Sequence, residues 1–356
     1  MYKFKIFKSF TEECINVWKS IENNCSSNFF QDLEYIQEIA NNNDNNTKII
    51  IIYLNNDAIA ILPLEIKKLF FINTLQWIGT DYSDYCNPIL SQNFNSYYKK
   101  TDFIKVWSEI LDSLRDEVDL LFFNNQLNFI DKSTNPFVDG LKSVYFSKIY
   151  FIDLNNDFES YKNEIKKKNK KYLYEIHRTL IKLEKLKKQS KNIILEVKSS
   201  LEKKLDFKKI IEEKKNQLLK KKVKNKLNSD FTEIIENLIK LKKTNFLVAS
   251  LKAEDITLAK CFCFIHKDVF YYYIPFIFSN NFEKFKPGKI LITELIKWCI
   301  KNGIKKFDFG LGNEKYKKYF SNKEFLLHRY LNYLSLKGFF AYSLLLIFFK
   351  IKKLWL

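Results

Sequence analysis

Phe285-Lys-Pro-Gly-Lys-Ile-Leu-Ile-Thr-Glu-Leu-Ile-Lys-Trp-Cys-Ile-Lys-Asn-Gly-Ile-Lys-Lys-Phe-Asp-Phe-Gly-Leu-Gly-Asn-Glu-Lys-Tyr-Lys-Lys318 is the run on which the fold turns. Its first part reads as a loop entering a helix, with Pro287 and Gly288 at or just before the first turn. A helix start presents unpaired N–H groups and the positive end of the dipole, and glycine admits a ligand close to the backbone. Lys286 and Lys289 add positive charge, so Lys286 to Lys289 is a candidate pyrophosphate cradle. The helix runs from about Lys289 to Lys301 and stops at Asn302-Gly303. A short strand at Lys305 to Phe309 then meets Gly310 and Gly312, which allow a sharp turn. Asn313, Glu314, Tyr316 and Lys317 follow beside the strand's carboxyl end, where open α/β sheets bind ligands.

Upstream of this run, Phe246–Leu251, Thr257–Ile265 and Val269–Phe276 read as three strands joined by tight polar turns. The first half of the chain repeats the order. Lys48–Leu54, the turn Asn55-Asn56-Asp57 and Ala58–Leu64 form a hairpin. Further extended chain, a helix at about Asp102–Arg115 and a strand at Val118–Phe123 follow. Hairpin, extended chain, helix, strand therefore occurs twice, an approximate internal duplication.

Between the two units lies a mainly helical segment. Leu173, Ile176, Leu180 and Leu183 recur at helical spacing within Tyr161–Gln189, with lysines around them. A short strand at Ile193–Val197 and helices near Leu201–Lys222 and Thr232–Lys242 follow. Glu159 to Lys226 holds most of the chain's excess charge, which is +19 overall. Only three of the 60 basic residues are arginine (Arg115, Arg178 and Arg329). Arginine grips phosphate bidentately, so its scarcity argues against specific nucleic-acid binding, and the lysines read as a solvated helix face.

At 356 residues and 46% hydrophobic, the chain can build two domain cores. Its six cysteines form no CxxC pair, so neither zinc ligation nor a disulfide framework is expected, and no metal site is foreseen. Met1 to Glu22 lacks a signal-peptide pattern, which places the protein in the cytoplasm. Phe339–Phe349 is free of charge but well short of the roughly 20 residues that span a bilayer. We read it as a buried terminal helix, with a peripheral membrane contact through 339–356 as the alternative.

The pattern Lys284-x-x-Pro-Gly-x-x-Leu-x-x-x-x-Ile-x-Trp298, then Gly303-Ile-Lys-Lys-Phe-Asp-Phe-Gly-Leu-Gly-Asn-Glu-Lys-Tyr-Lys317, resembles the FemAB-like and CelD-like branch of the GNAT acyltransferase superfamily. Asn28-Phe-Phe-Gln31, Ala60-Ile-Leu-Pro-Leu64 and Gly79-Thr-Asp-Tyr-Ser-Asp-Tyr-Cys-Asn-Pro88 resemble landmarks of the family's first half, and Lys166–Leu183 resembles its basic helix. The resemblance implies an α/β fold of two tandem GNAT-like lobes with mixed sheets and an inserted basic helical segment. We expect lobes at 1–150 and 246–335, the basic segment at 151–245 and a terminal helix at 336–356.

The resemblance also implies transfer of an acyl group from acyl-CoA or acetyl-CoA to an amine, with Lys286, Pro287, Gly288 and Lys289 holding the donor. The first lobe has no glycine before its helix and is expected to hold no donor. Tyr273 and Ile274, on the adjoining strand, are further donor-binding candidates. Such chemistry needs a base for the amine, a stabiliser for the oxyanion and an acid for the leaving thiolate. Glu314 is the candidate base, with Asp308 as the alternative. Backbone N–H groups of Tyr271 to Pro275 are the oxyanion donors and Tyr316 the acid. Lys317, with Asp81, Tyr82, Asp84 and Tyr85, is a candidate for binding a small-molecule or saccharide acceptor. Two other readings stay open: an aminoacyl-tRNA-dependent transferase, and a non-catalytic binding module.

Overall fold

The computed structural model describes residues 2–25, 28–42, 46–130, 132–154, 157–190, 192–202, 206–220, 227–278 and 282–354. The chain divides into two compact units, residues 1–147 with 325–356, and residues 148–324. The first unit's N-terminal part ends at residue 147, and the basic segment belongs to the second unit. The end of the chain differs: the strand Lys323–Tyr333 pairs antiparallel with Leu120–Leu127. Residues from 325 onward therefore belong to the first unit, not to a lobe ending at 335.

In the first unit Tyr2–Phe7, Asn46–Leu54, Asp57–Leu69 and Ile72–Trp77 form an antiparallel series. Asn55 and Asn56 both have positive φ, the backbone that a tight two-residue hairpin demands and that Asn tolerates. The helix Lys100–Leu114 then crosses over, and Leu120–Leu127 returns parallel to Ile72–Trp77. Trp77, Trp107, Phe123 and Phe137 fill the core, with ring centroids as close as 4.9 Å between Trp107 and Phe137.

The second unit repeats this plan. Ile193–Ser199, Asn245–Ala253, Ile256–His266 and Val269–Ile277 are antiparallel neighbours. The helix Pro287–Lys301 crosses over, and Lys306–Asp308 returns parallel to Val269–Tyr271. The helix buries Ile290, Leu291, Leu295, Ile296 and Cys299 among Leu247, Cys261, Cys263 and Phe270 of the sheet. Cys261 and Cys263 are both free and buried, and among the described residues no cluster could hold a metal ion.

The single amphipathic run read over Tyr161–Gln189 is two helices, Phe158–Lys168 and Lys170–Gln189. Asn169 breaks them with extended backbone, and its side chain caps the second. The helix expected at Leu201–Lys222 is observed at Phe207–Lys220; 203–205 and 221–222 lie outside the described residues.

The terminal helix Leu336–Leu354 is not buried as expected: Phe340, Leu344, Ile347 and Phe348 are all exposed. No described helix is long and apolar enough to cross a membrane. The last two residues of the 339–356 tract lie outside the described residues. Asp119 fastens the start of this helix. Its carbonyl accepts from Leu334 N at 2.9 Å, and its carboxylate accepts from Ser335 Oγ and, at 3.0 Å, from Asn73 N. Gly338 permits the approach, because a Cβ there would overlap the Asp119 carbonyl. Asp119→Ala strands the Asn73 donor and frees Ser335, so we expect a loss of about 1–3 kcal/mol by chemical denaturation. Amide exchange should quicken selectively from residue 335 onward; uniform exchange would contradict this anchoring role.

Candidate active site

The parallel pair Val269–Tyr271 with Lys306–Asp308 is only three residues long. Past Asp308, Gly310 (φ +65°) and Gly312 (φ +123°) turn the chain away, and the two strands part. The strand Val269–Ile277 continues with one edge unpaired by any strand among the described residues, and Tyr273 sits in a bulge, since Phe262 faces Ile274 while Cys263 faces Tyr272. A cleft of about 470 Å³ opens at this parting. Tyr272, Pro275 and Ile277 of the strand line it, as do Lys286, Pro287, Gly288 and Lys289 at the helix start and Glu314 and Tyr316 beyond the turn.

The helix start is built for an anion. Lys286 is in the left-handed region (φ 57°), and its carbonyl accepts from Lys289 N at 3.0 Å. Pro287 has no N–H, and the Gly288 N–H has no partner among the described residues. A Cβ on Gly288 would stand 2.8 Å from Ile277 Cδ1 across the cleft, so the missing side chain is what keeps this end open. Lys289 Nζ lies 2.8 Å from Glu175 Oε2, and Arg178 reaches the same carboxylate at 3.1 Å. The Lys289 hydrogen bond, aided by the charges of Lys289 and Arg178, holds Glu175 below the usual carboxylate range. Burial, then the charges of Arg178, Lys286 and Lys289, holds Lys182 below the usual lysine value. Three lysines and an arginine thus gather around Glu175 at the head of this helix.

The turn after Asp308 is fastened from within. Asp308 Oδ1 accepts from Gly310 N at 2.7 Å, an Asx-type closure, and Asp308 does not line the cleft. That geometry removes it as the alternative base. Lys317 is also reassigned. It is 3% exposed, and its Nζ donates to Leu311 O at 2.7 Å and pairs with Glu314 Oε2 at 3.1 Å. A buried ammonium needs such partners, so it holds the turn and is closed to an acceptor.

Glu314 occupies a helix N-cap but makes no side-chain cap bond; it lines the cleft, with its carboxylate paired to Lys317. Burial first, then the Glu314 charge, pushes the Tyr316 hydroxyl well above the usual tyrosine range, so it stays protonated.

The strand's expected donors are fewer than the sequence suggested. Pro275 has no N–H, the Tyr273 N–H is directed at the Cys261 sulfur, and Ile274 faces Phe262 in the ladder. Neither Tyr273 nor Ile274 lines the cleft. Two lining residues that sequence reasoning missed, Lys214 and Gln217, donate to the carbonyls of Pro275 and Ile277. Their three-residue spacing marks one helix face, but nothing local says what that face covers.

The acceptor candidates of the first half lie in the first unit. Tyr85 is 2% exposed and packs edge-on against Phe30, which makes it core, and Asp81 is paired with Lys67. Tyr82 and Asp84 are half-buried in the same loop. None of the four lines the cleft of the second unit.

Two copies of one plan, the second of which parts beside a glycine-opened helix start, define an acyltransferase-type fold. Residues 170–318 match the acetyltransferase (GNAT) domain family. Solved structures agree on the fold. FemX is 12% identical with a TM-score of 0.55, covering 90% of this chain and 96% of its own. A tandem GNAT protein from the clavulanic acid biosynthesis pathway is 6% identical, TM-score 0.51, covering 94% and 99%. The C-terminal domain of a putative lysylphosphatidylglycerol synthetase from Agrobacterium fabrum is 10% identical, TM-score 0.51, covering 93% and 95%. No curated protein matches the chain significantly. Residues 170–318 thus match a GNAT domain, and the two-unit fold is shared with FemX and with the tandem GNAT protein.

Gly312→Ala forces a side chain into positive φ and against both Glu314 and Lys317. We expect a cost of about 1–3 kcal/mol, read by denaturation; an unchanged midpoint would contradict the fastened turn. Because its partners depress the Glu175 pKa, that pairing stabilises fully above the ordinary carboxylate value and fades as pH falls through the lower folded value. The stability gap between wild type and Glu175→Gln should close on acidification through that window.

Proposed function

We propose that this protein is an N-acyltransferase that moves an acyl group from a coenzyme A thioester to an amine carried by a sugar, amino acid or envelope precursor. The observation that carries this reading is the single cleft joining the open helix start at Gly288 to Glu314 and Tyr316. The residues present fit such a donor. The Gly288 N–H, the helix dipole and the ammonium groups of Lys286 and Lys289 offer a pyrophosphate what it needs, and the absent Cβ leaves room for it. Bound there, the donor supplies an activated carbonyl with a thiolate leaving group.

The chain's residues supply the proton traffic. The lone pair of the neutral amine attacks the carbonyl carbon, and Glu314, directly or through a water, accepts the proton that the nitrogen sheds once the carbon–nitrogen bond has formed. As the carbon–sulfur bond breaks, Tyr316 gives its hydroxyl proton to the departing sulfur and is reprotonated from solvent. Its raised pKa keeps that proton available at neutral pH. Lys317 holds Glu314 in place without entering the cleft.

The test is a thermal shift with acetyl-CoA, a longer acyl-CoA and tRNA, repeated on Gly288→Trp. Stabilisation by a CoA ester, lost in Gly288→Trp, is expected. Stabilisation by tRNA alone would point to an aminoacyl-tRNA donor, and no response to a non-catalytic module. In a turnover assay Tyr316→Phe and Glu314→Gln should each lower kcat by roughly 10²–10⁴-fold while leaving the CoA shift intact.

A further inference from the structure

The first unit carries two large apolar features that its own core does not use. One is the hairpin tip between Asp57–Leu69 and Ile72–Trp77. Leu69 faces Ile72, so the turn consists of Phe70 and Phe71, which are 95% and 71% exposed. Phe70 has φ +54°, a position where a two-residue turn ordinarily places glycine, and an aromatic there is strained. Nothing inside the unit offsets that cost, because the ring packs on nothing. The other feature is the helix Leu336–Leu354. Its inner side is marked by Phe349, which lies 3.8 Å from the Arg329 guanidinium and stacks on Phe122. Phe340, Leu344, Ile347, Phe348 and Ile351 recur at three- and four-residue steps and are exposed.

The two features share one end of the unit. Asn73, two residues past the tip, and Ser335, just before the helix, are both held by Asp119. Basic residues border them: Lys68 precedes the tip, beside Lys67 in its pair with Asp81, and Lys337 and Lys350 lie on the helix. From Phe325 to Leu356 the sequence contains no Asp or Glu.

We propose that this end of the first unit docks on the surface of an anionic lipid bilayer, with Phe70 and Phe71 inserted among the headgroups and the helix lying in the interface plane. Charge decides between the candidate occupants. In a symmetric dimer through this patch, each lysine border would meet its own copy, with no acid from 325–356 to relieve the repulsion. A negatively charged bilayer complements the same border and accepts the aromatic tip and the apolar helix stripe as insertions. At about 28 Å, the helix lies along such a surface; it is not long and apolar enough to cross it.

The experiment is co-sedimentation of the full chain with vesicles of phosphatidylcholine alone and of an equal mixture of phosphatidylcholine and phosphatidylglycerol. Two double variants are tested beside it, Phe70→Ser with Phe71→Ser, and Leu344→Ser with Ile347→Ser, each checked for an unchanged far-UV spectrum. Sedimentation with the mixed vesicles only, weakened by salt and reduced about tenfold or more in each variant, is the expected result. Either variant alone suffices should the other misfold, since they lie on different elements. Absence of sedimentation with the mixed vesicles, or equal sedimentation of wild type and both variants, would overturn the proposal. So would a concentration-dependent dimer by light scattering that the same substitutions dissolve.

Discussion

The second unit depends on a parallel pairing that stops after three residues. Val269–Tyr271 and Lys306–Asp308 are held side by side, and the chain is then forced out of the sheet. The force is local: Asp308 closes on the Gly310 N–H, two glycines take up positive φ, and the buried Lys317 ammonium ties Leu311 and Glu314 together. Continued pairing would fill the cleft with backbone. Because it ends, one strand edge and one helix start face the same space, and Glu314 and Tyr316 are delivered to its side.

The first unit repeats the short parallel pairing, Thr74 and Leu75 beside Leu120 and Leu121, without the glycine turn, which shows what that turn contributes. In the first unit the crossover helix begins at Lys100, with no glycine, no proline and no side-chain cap, and the strand after it is long and feeds the aromatic core around Trp77 and Phe137. The same plan is thus open at the helix start in the second unit and filled by aromatic side chains beside its crossover helix in the first. The sequence marks the difference, since Pro287-Gly288 and the Gly310/Gly312 pair have no counterparts around residues 98–101 and 124–128.

Charge separates in a similar way. The lysine-rich helices read as a solvated face, and much of that holds: Lys187 and Lys162, for example, pair with acids one turn away on their own helices. At Lys182, however, the face turns inward, and the charges of Lys286 and Lys289 reach it from another element. Helical spacing reveals which residues share a face; it carries no information about what lies opposite.

By itself the sequence determined the order of elements, the duplication, the hairpin turns and the residues of the helix start, because periodicity, turn chemistry and glycine placement are properties of neighbouring residues. It also singled out Glu314 and Tyr316, which follow the turn directly. Only the tertiary structure decided which polar groups are free. Asp308 and Lys317 look as available as Glu314 in the sequence, yet folding closes the first on a backbone amide and buries the second among carbonyls. Lys214 and Gln217 enter the cleft from a helix some 60 residues away from the carbonyls they bind. The terminal strand joins the first unit rather than the second, and the terminal helix stays exposed, for the same reason: strand partners and burial are set by contacts between distant segments, which no local pattern encodes.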